Sequence, residues 1–229
     1  MLSAIRKVGL YLNTLRYLRI SQLCWQVYRR LRPVITPREI ELEVVRTGIF
    51  GFATARAPQP AVYEFRFLNK SRAANPELIN WHPQNESRLW RYNLHYFDFL
   101  SWDSFPADHK AAYIDSWIKN NPVGTVDAWE PYTLSLRVVN WVKFFDSMAE
   151  RVPDHWAYSL INQVNWLNAN LEHHILANHL LKNIKALIIA GGWFDGPHGK
   201  LYLRRGMQLL LREVDEQMLA DGGHFERSP

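Results

Sequence analysis

LEHHILANHLLKN, residues 171–183, decides the reading of this chain, because it sets three histidines and two asparagines inside an apolar, helix-favouring run. At about 100° per residue, Leu176, Ala177, Leu180, Leu181, Ile184, Leu187 and Ile188 share one half of a helix. His174, Asn178, His179, Lys182, Asn183 and Lys185 share the other. The pattern predicts one helix through the stretch, ended by Gly191 and Gly192, since glycine commonly follows a helix C-terminus.

A merely solvated face is one reading of the polar half. Asn and His, however, are weaker helix formers than the Glu, Lys and Gln that would serve there. Three imidazoles and two amides so close together read instead as a hydrogen-bonding surface aimed at a ligand, with His174, Asn178 and His179 as its members. A metal site fits less well. His174 and His179 are five residues apart rather than the four that bring two ligands onto one ion, and no HExxH occurs, so no metal is assigned.

Working outward, the C-terminal half reads as a train of helices. Ile114, Trp117 and Ile118 mark one over 107–119, and Pro131 opens the next, with Leu134, Val138, Trp141, Phe145 and Met148 as its stripe. Asp154 is placed to cap a third, with Trp156, Leu160, Val164 and Leu167 inward. The last spans about 198–219 and breaks at Asp221-Gly222-Gly223. Short loops and no convincing strand ladder predict an all-α fold of antiparallel helical hairpins, which continue into a partial α/α toroid.

The N-terminal half divides differently. Residues 1–32 alternate Arg6, Lys7, Arg16, Arg19, Arg29, Arg30 and Arg32 with apolar positions and read as a basic amphipathic helix, able to pack on its own domain or to make a peripheral membrane contact. Residues 33–104 read as an irregular, proline-containing, partly extended segment wrapping a helical body at 105–229. Within it RLWRYNLHYFDFLSW, residues 88–102, mixes aromatics with Arg91, Asn93, His95 and Asp98, as a cleft wall or a half-buried connection would.

Composition narrows the classes. Of 229 residues 48% are hydrophobic, enough for a packed core, and the net charge of +5 suits an anionic partner without demanding one. No nucleic-acid-binding module or basic stripe is recognisable, so nucleic acid is excluded as a partner. Ten tryptophans fit either a large helical core or sugar-stacking walls. The single Cys24 excludes an internal disulfide, no stretch is long enough to span a bilayer, and the N-terminus shows no cleavable signal peptide.

YNLHYFD at 92–98, WEPYTLSLRVVNW at 129–141, LANHLLKN at 176–183 and DGGHFERSP at 221–229 together resemble the N-terminal part of the heparinase II/III-like polysaccharide lyases, relatives of the alginate lyases. The basic beginning is similar to members found with bacterial capsule and exopolysaccharide genes. The resemblance implies an (α/α) toroid, an acidic polysaccharide substrate, β-elimination next to a uronic acid, no cofactor, and export to the periplasm or beyond, though the sequence alone allows a cytoplasmic protein. It implies Asn178 as the carboxylate-binding asparagine and His179 as the imidazole that neutralises charge or takes the proton. His224, Glu226 and Arg227 would border the cleft, or form a structural network in which Glu226 holds Arg227. Trp129 and Arg137 would be a sugar platform and a uronate clamp, or inter-helix packing. Relatives carry their catalytic tyrosine just beyond the position of Pro229, and then a C-terminal β-sandwich, so the resemblance leads us to expect an interrupted lyase. Two rivals stand beside it: an α/α-toroid glycoside hydrolase pairing Glu130 with Asp221 or Glu226, and a catalytically incomplete glycan-binding or assembly protein.

Overall fold

The computed structural model describes residues 24, 27, 28, 30, 31, 34–51, 64–175, 177–219 and 221–223. Most of the basic segment 1–32, and with it the expected peripheral membrane contact, therefore lies outside the described residues, as do His224, Glu226 and Arg227.

Helix starts follow local chemistry. Ser87 accepts a hydrogen bond from the Trp90 amide at 3.2 Å and opens α1 (Arg88–Tyr96). Pro131 and Pro197 occupy the first turns of α3 (Pro131–Asp146) and α6 (Pro197–Gln217), where a missing N–H costs nothing. Between them lie α2 (Ala107–Asn120), α4 (Asp154–Ala169) and α5 (Ala177–Trp193). A 3-10 helix, Asp98–Ser101, follows α1, and the described elements also include four short strands: β1 (Val44–Val45), β2 (Glu64–Phe67), β3 (Lys70–Ala73) and β4 (Phe194–Asp195). The β2–β3 hairpin turns on Leu68 and Asn69, both at positive φ, and β1 pairs antiparallel with β4.

Alternate helices lie side by side: α1 on α3, α3 on α5, and α2 on α4, with α5 and α6 closing as a hairpin. The starts of α1, α3 and α5 meet at one end, where Arg88 bonds to Glu130 and the His179 ring lies 4.2 Å from that of Tyr132. Three helices thus run in one direction and the intervening ones return. That is the all-α architecture of a partial α/α toroid. Aromatic rings fill the space between the layers. Trp141 meets Phe97 at 5.4 Å, Trp117 at 5.5 Å and Phe145 at 5.7 Å, all four rings fully or almost fully buried.

An extended strap, residues 34–43, is held to α4 by its asparagines. Asn170 exchanges two bonds with the Ile35 backbone at 2.8 and 2.9 Å, Asn165 donates to Arg38 O at 2.8 Å, and Asn162 accepts from Ile40 N at 2.9 Å. The strap ends in Glu43, whose carboxylate accepts the His198 and Gly199 amides at 2.7 and 2.9 Å and so caps α6 from outside the helix.

Three expectations change. The central helix begins at Ala177 rather than Leu171, and in the turn ahead of it the Glu172 amide donates to Asn183 Oδ1 at 2.9 Å. Gly191 and Gly192 lie inside α5 instead of ending it. A Cβ on Gly191 would stand 2.4 Å from Leu203 N and 2.9 Å from Gly199 O, so this glycine allows α6 to approach. Asp154 is the first residue of α4, not its cap. Pro153 holds the cap position and the Asp154 carboxylate bonds to Arg151 at 2.7 Å.

Candidate functional site

The first turn of α5 carries Asn178 and His179. Asn178 is exposed, and the His179 side chain is 35% exposed. Amides of a helix's first turn have no intrahelical partner and favour an anion in front of them. The His179 ring packs on Tyr132 at the start of α3, and its Nδ1 lies 3.4 Å from Oε2 of Glu172, a buried carboxylate. That contact is longer than a well-formed hydrogen bond but close enough to favour one ring orientation.

Asn183 holds Glu172 in place. Fully buried, it accepts the Glu172 amide, donates to Ser135 Oγ at 2.9 Å and reaches Glu172 Oε2 at 3.3 Å. The two asparagines of the motif therefore divide the work: Asn183 builds the turn, and Asn178 faces outward.

The face continues across α3 to α1. The Tyr132 ring meets Tyr96 at 6.2 Å, and Asn140 Nδ2 donates to Tyr96 O at 2.9 Å and Asp98 Oδ1 at 2.6 Å. Tyr132 is pushed above the usual phenol range by burial first, then by the charges of Glu172 and Asp98. Burial does the same for Tyr96, so both hydroxyls stay protonated at neutral pH and act as donors. Along the same helices Lys185 is lowered by desolvation and then by Lys143 and Lys182, which places three ammonium groups in mutual electrostatic reach. The face thus offers an amide, an imidazole, phenols and cations, which suits a hydroxyl-rich anion.

Not every expected residue arrives there. His174 sits in the turn before α5 and lines a neighbouring cavity with Trp129, rather than sharing a helix face with His179. Trp129 is buried, its ring meeting Trp117 at 6.0 Å and Trp166 at 5.5 Å, and its Nε1 donates to Asn121 O at 3.0 Å. Its position is that of packing with one edge on the cavity. Arg137 is wholly buried. It lies 3.9 Å over the Trp117 ring and donates to Gln163 Oε1 at 2.8 Å and His95 O at 3.3 Å, and burial pulls its pKa well below the ordinary arginine value. A uronate cannot reach it, so the clamp reading gives way to inter-helix packing. Glu130 is engaged by Arg88 and the Tyr92 hydroxyl, and Asp221 is exposed, accepting the Gly223 amide at 2.9 Å.

Tyr132 and Glu172 are the two site neighbours that sequence reasoning missed. Each left a faint signal: Tyr132 follows the Pro131 that starts α3, and Glu172 is the one acid in the 171–183 stretch. Among the described residues no group of three or more His, Cys, Asp or Glu side chains is arranged to hold a metal, and no helix is long and apolar enough to cross a membrane.

Comparison with known proteins follows the same lines. No curated protein matches the chain. A solved heparinase III with methylated lysines is similar at 22% identity and a TM-score of 0.46, over 90% of this chain and 37% of that one. This chain thus spans little more than a third of that relative. The model of the heparinase II/III N-terminus matches residues 53–229, and over that length, well beyond half of its sequence, the chain belongs to the heparinase II/III N-terminal family.

Proposed function

We propose that this chain carries the uronate-binding part of a polysaccharide lyase that cleaves uronic-acid-containing acidic glycans by β-elimination. The observation that carries the reading is the pair Asn178 and His179 on the open first turn of α5, with His179 lodged between Tyr132 and Glu172.

The chemistry asks for such a group. Elimination takes the proton from C5 of the uronate, the C5–H electron pair becomes the C4–C5 double bond, and the C4–O bond breaks, its oxygen leaving with a proton. The C5 proton is too weakly acidic while the neighbouring carboxylate keeps its full charge. Donors fixed where that charge accumulates lower the barrier by several kcal/mol. Asn178 supplies an amide donor, the α5 terminus adds the positive end of its helix dipole, and His179 neutralises charge or accepts the proton. Protonated Tyr132 is a donor beside them, and the Lys143, Lys182 and Lys185 group attracts the polyanion along the same face.

The test is a time course at the ultraviolet absorbance of an unsaturated uronyl end, which hydrolysis does not produce. In a catalytically active polypeptide containing this chain, Asn178→Ala should lower turnover at least 100-fold, about 2.7 kcal/mol, with melting unchanged because the residue is exposed. Near-normal turnover would remove Asn178 from the role. Cleavage without new absorbance would replace elimination by hydrolysis.

A further inference from the structure

Beside this site opens a cavity of about 980 Å3, with Glu130 and Pro131 in its wall. Its volume lies at the upper end of the range of small-ligand sites. Its further lining includes described residues between 28 and 36 (Tyr28, Arg30, Leu31, Val34, Ile35 and Thr36), Arg88 of α1, the Gly124–Val126 turn with Trp129, the end of α4, the turn before α5, and Arg205 of α6. Asn178 and His179 are not among the lining residues, so the two places are neighbours rather than one pocket.

Its charge is unbalanced. Arg30, Arg88 and Arg205 share the wall with one carboxylate among the described lining residues, Glu130; Arg88 bonds to Glu130 and, at 3.2 Å, to Asp127 outside the lining, and Glu130 also accepts from the Tyr92 hydroxyl, so Arg30 and Arg205 carry the excess charge. Among the described residues Arg205 spends its bonds on Asn168, at 3.0 Å to the carbonyl and 2.7 Å to Oδ1, not on a carboxylate. Those bonds fix the guanidinium, and among the described residues no carboxylate bonds to it. His173 beside it is held down to about 4 by burial first and then by Arg205 and Arg212, so at neutral pH it is an uncharged hydrogen-bonding imidazole. The apolar part of the wall includes Leu31, Val34, Ile35, Val126 and Leu171 beside the largely buried Trp129 and Trp166.

We propose that this cavity is a second saccharide pocket, taking an acidic pyranose with its carboxylate or sulfate against Arg205 and its ring against the apolar part of the wall. The proposal rests on the reading of the chain as a binder of acidic glycans, but not on the chemistry at Asn178. A glycan crossing the Glu130 wall would occupy both places, so the cavity would select for an acidic group on a sugar other than the one cleaved.

Calorimetric titration with a glucuronate-containing disaccharide, and with its sulfated counterpart, tests it in the Asn178→Ala chain, where the first site is disabled. Binding should persist and weaken tenfold or more in Arg205→Gln. It should weaken similarly in Val126→Glu, which sets a carboxylate at the cavity lip on a residue 71% exposed and leaves the fold undisturbed. Whichever disaccharide binds more tightly names the anion. Absence of binding by either, or binding indifferent to both added substitutions, overturns the second pocket. The lyase reading is decided separately by turnover: an Asn178-dependent elimination with an inert cavity would sink only this inference.

Discussion

Replacing Asn183 with alanine tests whether the motif's second asparagine is architectural. Its side chain is completely buried and reaches four groups: the Glu172 amide and Ser135 Oγ, both at 2.9 Å, and more weakly the Glu172 carboxylate at 3.3 Å and the Pro131 carbonyl at 3.4 Å. Orphaning the buried Glu172 amide costs about 1–3 kcal/mol, and the lost bonds to Ser135 and to the carboxylate add roughly 1 kcal/mol each. The sum is about 3–5 kcal/mol. In a chain of this size each kcal/mol lowers the melting temperature by about 2–4 °C, so Asn183→Ala should melt roughly 10 °C lower by calorimetry or circular dichroism. Hydrogen exchange should quicken at Glu172 through Ile175, since the turn loses its anchor. Asn183→Asp is the companion: it keeps the acceptor but sets a second carboxylate against Glu172. It should be at least as unstable at neutral pH and should partly recover near pH 5, as one acid of the pair takes a proton. Melting of Asn183→Ala within 2 °C of the parent would refute the architectural role.

Two further outcomes follow from packing and burial. Gly191→Ala should lose about 1–3 kcal/mol or more, read from urea unfolding, because its new methyl would meet the backbone of α6 at 2.4 Å from Leu203 N; unchanged stability would mean that α5 and α6 separate easily. Stability should also fall on mild acidification. His95, in the core, and His173 both have pKa values lowered below 6.5 by burial, His173 to about 4. Between pH 6.5 and about 4 the unfolded chain therefore binds protons that the folded chain refuses, which removes up to about 1.4 kcal/mol per pH unit for each histidine. His173→Gln should make the decline shallower across that window, and an identical pH profile would show that His173 protonates freely in the fold.

How the sequence misled is as physical as how it guided. The 171–183 stretch has the helical period, yet period records only which residues prefer company, not whether a side chain elsewhere offers a better partner. Asn183 offers one to the Glu172 amide, and the helix starts late. Gly191 and Gly192 carry the signature of a helix end because glycine serves both as a terminator and as a place where another backbone passes closely. Only the position of Leu203 tells these apart. Arg137 is polar in the sequence and buried in the fold, since Trp117, Gln163 and His95 receive it there.

Proline placement, apolar period and short connections are local properties. They sufficed for the helix train and the all-α class. The motifs at 92–98, 129–141, 176–183 and 221–229 supplied the family. Tertiary structure decided what local pattern cannot encode, namely which distant groups meet. It brought Tyr132 from one helix and Glu172 from a turn against His179, and it closed a cation-lined cavity from five separated parts of the chain. Such meetings depend on the angles and distances at which whole helices pack, which are set by the summed fit of buried side chains rather than by any neighbouring residue.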